Sequence, residues 1–187
     1  MWILIAALVA GPAHARPKAP PQTGAAAPVQ VLSPEELRAQ IEAYLGVIDV
    51  PIPLAQWRAL GPQAAPILEQ IIGDPKVFPS RRAKAVDGLA SAAPERAAVL
   101  APQLAQSEAE PVVVRVAALH GAARVLPARQ LLAVLKPVLE SARQPGLRKS
   151  AAEVLARHGK SAGCRAVRAQ AEREESGAFD GLLERCE

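Results

Sequence analysis

Arginine recurs at a fixed interval through the middle of the chain. Arg82, Arg115 and Arg148 stand 33 residues apart, and each opens an alanine-rich stretch. Three positions after each arginine comes Ala85, Ala118 or Ala151, then Val86, Leu119 or Ala152. Three further on lies Leu89, Ala122 or Leu155. A period of this length marks supersecondary units that cannot bury an apolar face alone and do so by stacking on one another. The recurrence says how the chain is built and leaves its ligand open. Composition agrees: the chain is 50% hydrophobic but only 3% aromatic. Small side chains suit close helix-on-helix packing better than a thick sandwich core. Val112 to Val114 is the one β-branched run of note, and no stretch alternates for long. The predicted class is all-α.

The ends of the chain carry a different kind of information. Trp2 to Ala10 is a short apolar run followed by Ala13-His14-Ala15 ahead of Arg16. The run is shorter than the roughly 20 residues a bilayer requires, and the small-residue pattern fits cleavage of a secretory signal. Residues 1–15 are therefore expected to be a signal peptide, with export to the periplasm or beyond and no stable membrane insertion after cleavage. No basic residue precedes the run, so an uncleaved tether is the rival reading. Residues 16–32, with Pro17, Pro20, Pro21 and Pro28, have the composition of an extended linker without a core. The folded domain is expected over 33–187.

Within it, Ser33 and Glu36 make a capping-box pattern with Pro34 at the first helical position. This predicts a helix to about Leu45, ended by Pro51 and Pro53. A first helix pair runs from Leu54, with Gly61-Pro62 as an interruption and Ser80 as a cap for the helix from Arg81. A second pair starts at Pro94 and a third at Pro127, with Pro102 and Pro137 inside first helices, where each removes a backbone hydrogen bond. Ser161 is expected to cap a helix to about Glu175, and Phe179 to Cys186 to form a last short one that covers the end of the stack. Cys164 and Cys186 are the only cysteines. In an exported chain two cysteines favour a disulfide, here one that pins the terminal cap.

Asp74-Pro75 before Arg82, Glu110-Pro111 before Arg115, and Glu140 with Pro145 before Arg148 resemble the HEAT-repeat family over about residues 54–160. The resemblance implies a short right-handed α-solenoid of about three helix pairs, with an N-terminal helix and a C-terminal helical cap. It implies an acid–arginine ladder between repeats and second helices that line the concave face. The third repeat departs from this pattern, because its acid lies well before the turn. The His-Glu metal motifs of HEAT-repeat hydroxylases and the aromatic cluster of HEAT-like DNA glycosylases are absent. Fold resemblance says little about activity.

The same 33-residue phase aligns Asp87, His120 and Glu153, each five residues after its arginine. Helix axes pack about 8–10 Å apart, so an imidazole between two carboxylates would suit a metal or acid/base chemistry. Against this, Glu153 has Lys149 and Arg157 four residues away on its own helix, an ordinary surface pairing, and Arg124 follows His120 at the same spacing. No nucleophile elbow, phosphate-binding loop or zinc spacing is present. The sequence thus predicts a non-catalytic scaffold without cofactor or metal, offering Lys84, Asp87, His120, Lys149, Glu153 and Arg157 to another protein or peptide. A net charge of +4 spread among interspersed acids and bases points to a solvated surface rather than a nucleic-acid partner. Two alternatives stand beside this: a lyase-type enzyme by fold analogy, and an electrostatic binder of an anionic envelope polymer.

Overall fold

The computed structural model describes residues 32–48, 50–174 and 177–186. The expected signal peptide and nearly all of the expected linker lie outside the described residues. Leu32, the last position assigned to the linker, packs partly buried against the core.

Among the described residues the chain forms ten α-helices and no strand. Helix α1 spans Pro34–Gly46, and its start is the capping box: the Ser33 hydroxyl accepts from the Glu36 amide at 3.2 Å, and the Glu36 carboxylate accepts from the Ser33 amide at 2.8 Å. Leu37, Ile41 and Leu45 turn its buried stripe inward. The next segment is broken into α2 (Leu54–Leu60), a 3-10 turn (Pro62–Ala64) and α3 (Ala65–Gly73). Gly61 makes that break with φ +68, a backbone conformation that side-chain-bearing residues avoid.

Helices α4 (Pro79–Ala92), α6 (Val112–Val125) and α8 (Pro145–His158) each run 14 residues and begin 33 apart, in step with the arginines. Between them lie α5 (Pro94–Gln106) and α7 (Ala128–Ser141), with Pro102 and Pro137 inside them as the sequence indicates. Helix α9 (Lys160–Ala171) and the short α10 (Asp180–Leu183) complete the chain. Helix α4 packs on α6 and α6 on α8, while α3 packs on α4, α5 on α6 and α7 on α8. Helices α4, α6 and α8 therefore form a continuous row. Their inner faces are mostly small: Ala85, Ala118, Ala151 and Ala152 are fully buried.

Three helix ends differ from expectation. Phe78 precedes α4 and Pro79 and Ser80 lie in its first turn, because proline's fixed φ suits the first helical position. Ser161 caps nothing: α9 already begins at Lys160, which takes a positive φ of 53. That reversal leaves no room for a loop, and a side chain on Gly163 would meet the Leu155 carbonyl oxygen at 2.4 Å. Helix α9 also ends at Ala171, four residues short of Glu175.

The arginines that mark the repeat do one job twice and a variant of it once. The Arg82 Nε–H donates to the Ile72 carbonyl at 2.6 Å, and the Arg115 Nε–H donates to the Ala105 carbonyl at 3.1 Å. In each case the acceptor lies ten residues upstream, near the end of the preceding helix, where carbonyls lack an intrahelical donor. The Arg148 Nη1–H donates to the Ala142 carbonyl at 2.8 Å, also just past a helix end. The Cys164–Cys186 disulfide joins α9 to the 3-10 turn Glu184–Cys186, with Cα atoms 5.4 Å apart. Closing this loop contributes about 3 kcal/mol in the chain-entropy model.

Trp57 shows how tightly the row is fitted. Its ring is buried, meets Tyr44 edge-on at a centroid distance of 5.1 Å, and lies on Gly88 of α4. A Cβ at position 88 would come within 2.8 Å of the indole. Alanine favours a helix over glycine by about 1 kcal/mol. Overpacking a rigid ring costs about 1–3 kcal/mol. Gly88→Ala is therefore expected to lower stability by about 1 kcal/mol in denaturant melts, and an unchanged or raised midpoint would show that the indole yields freely.

Candidate functional site

The outer side of the α4–α6–α8 row carries a shallow groove of about 530 Å³. Its floor is Ala83, Val116, Ala117 and Ala123, and its polar rim is Asp87, His120, Arg124 and His158. On α6 the positions Val113, Val116, Ala117, His120, Ala123 and Arg124 recur every three or four residues, so one helix face supplies most of the lining. The small residues are there because the helices pack closely. Their consequence on the outside is a floor with little relief.

Of the six residues singled out from the sequence, the structure brings Asp87 and His120 into this groove. Asp87 accepts from Arg124 Nη2 at 2.5 Å, so the carboxylate is held by a guanidinium, not by the imidazole of His120. Lys84, half-buried, donates to the Val47 carbonyl just past the end of α1, where a cation also opposes the helix dipole. Lys84 and Asp87 share a second cavity with Val50, Ile52, Leu54 and Trp57. Lys149 lies elsewhere, beside Arg148 and Glu174 near the last turn. Glu153 is half-buried and Arg157 exposed. The Asp–His–Glu line thus does not form a chemical unit, and no group of three or more metal-ligating side chains occurs among the described residues.

His158, read from the sequence as a helix-end residue, belongs to the groove as well. It sits in the last turn of α8 and faces His120 of α6. Partial burial, then the Arg157 guanidinium, then the His120 imidazole hold His158 below the usual histidine range. The α6 stripe was visible at helical spacing in the sequence. The reach of His158 across to α6 was not, because it depends on how two helices cross.

At the last turn, Glu174 accepts from Arg148 Nε–H and from Gln170 Nε2. The Arg148 hydrogen bond is the main cause that holds the Glu174 carboxyl below its ordinary range, and it raises Arg148 in return.

No family model, no curated protein and no solved structure matches the chain.

The groove makes a pH-dependent prediction. With the folded-state pKa of His158 lowered, the unfolded chain takes up its proton first, at about pH 6.5. Stability is then lost as the pH falls through that value, with the loss complete below the lowered folded-state pKa. By NMR, His158 is expected to titrate below an ordinary histidine, and Arg157→Gln to move its midpoint upward. A midpoint at or above the ordinary value would contradict the assigned surroundings.

Proposed function

We propose that the chain is a HEAT-like α-solenoid, exported and non-catalytic, that binds an extended segment of another protein along its second helices. The observation that carries this reading is the groove itself: a wide, shallow surface with an alanine and valine floor and a polar rim. Enclosed, deep cavities suit small molecules, whereas a long face of modest relief suits a peptide laid across it. The equal spacing of α4, α6 and α8 supports the solenoid, as does the shared carbonyl contact of Arg82 and Arg115. The disulfide fits an oxidising compartment.

Arg124 is already paired with Asp87 and His158 is held below the usual histidine range, so the groove suits a partner segment of small apolar and uncharged polar residues. Val113, 45% exposed at the mouth of the groove, offers apolar contact without having to move.

Val113→Glu and His120→Glu change exposed positions of the groove, and Ala133→Glu, exposed on α7, serves as a control. Tagged protein is to be recovered with its bound proteins from the cells that make it. At least one protein held by the wild type and the control should fall about tenfold or more with both groove variants, while melting temperatures stay close. Identical sets of bound proteins for all four chains would overturn the reading.

A further inference from the structure

Arg115 stands differently from its two equivalents. Arg82 reaches Glu110 at 2.6 Å, and Arg148 reaches Glu174, so each has a carboxylate from the following unit. Arg115 is 4% exposed, donates through Nε to the Ala105 carbonyl, and meets no carboxylate among the described residues. The sequence supplies the reason. Glu110 stands two residues before α6, and the equivalent place before α8 holds Arg143. Glu140, the acid upstream of that turn, is turned instead toward Lys136 and Arg173, at 3.8 and 3.7 Å.

A cavity of about 120 Å³ opens on Arg115, lined by Gln106, Glu108, Pro137, Val138, Ser141 and Ala142. At about 30 Å³ for each water, that is room for about four waters, or for one carboxyl group with its carbon. The other polar side chains are already partly committed. Gln106 Nε2 donates to the Val134 carbonyl at 3.0 Å, and the Ser141 hydroxyl donates to the Pro137 carbonyl at 2.6 Å. Glu108 lies at the rim, 63% exposed, with Arg143 3.7 Å away. The donors left for a guest are the two Nη groups of Arg115 and the second Nε2 proton of Gln106. Burying a guanidinium without a counter-charge is costly, and its planar fork matches a carboxylate's two oxygens.

We propose that the Arg115 cavity is a binding site for a carboxylate from outside the chain, seated where Glu110 serves Arg82. The carboxylate belongs either to a small free acid or to an acidic side chain of a partner. The site is separate from the groove over α6 and stands whether or not that groove binds a peptide.

The probes are acetate and N-acetylglutamate N-methylamide, compared with chloride at matched ionic strength. At ten times its Kd, acetate should raise the melting temperature of the wild-type chain by about 3–5 °C, and move the Arg115 Nε–Hε NMR resonance. A stronger response to the glutamate derivative identifies a side chain as the guest, and a weaker one a small free acid. Arg115→Gln should abolish the response. Where that change costs the fold, Arg143→Glu decides: it supplies the missing acid from within, raising the melting temperature in chloride and removing the acetate response. No acetate effect on the wild type, or an undiminished effect in Arg143→Glu, would overturn the proposal. So would an effect seen only in Glu108→Gln, because Glu108 would then already fill the site.

Discussion

One contact recurs at the turns into α4 and α6, with a variant at the turn into α8, and the rest is arranged about it: an arginine holding the carbonyl end of the helix before it. The last carbonyls of a helix have no partner of their own, and a turn that buries them must supply donors. Arg82 and Arg115 do so from the first turn of the next helix, each reaching ten residues back. The geometry fixes how far the chain may travel between the two helices of a pair. It also places the guanidinium where the following unit can answer its charge, as Glu110 does for Arg82.

Such buried pairs are weak sources of net stability, since desolvation offsets most of the attraction, yet breaking one is costly. The stabilising bulk lies in the apolar contacts of alanines and leucines along α4, α6 and α8. The arginine contacts tie each of these helices to the end of the helix before it. The same alanines leave the outer face shallow, which is why the groove over α6 has breadth without depth. Packing requirement and candidate binding surface are two sides of the same helices.

Much of this organisation could be read in the sequence because it is written in spacing. The capping box at Ser33, the breaks at Gly61-Pro62 and Pro145, and the equal phase of the three arginines are local signals with local causes. The pairing of Cys164 with Cys186 was favoured because they are the two cysteines of a chain read as exported. Relations between helices were not legible in the same way. The approach of Trp57 to Gly88, the facing of His158 toward His120, and the capture of Asp87 by Arg124 each join residues 30 or more positions apart. The row of Asp87, His120 and Glu153 was correctly phased as a set of positions, but phase alone does not say which neighbour each side chain takes. Arg143 was in plain view, and its meaning appeared only once Glu110 was seen to serve Arg82.

A double-mutant cycle on Arg82 and Glu110 tests most directly whether these arginines couple one unit to the next. Stability is to be measured for Arg82→Met, Glu110→Gln and the double variant by denaturant unfolding, beside the wild type. The account predicts a coupling of about 1–3 kcal/mol between the two positions, with each single change costing more than its share of the double. Additivity within about 0.5 kcal/mol would contradict it, and would leave the arginines as local caps with no part in joining the units.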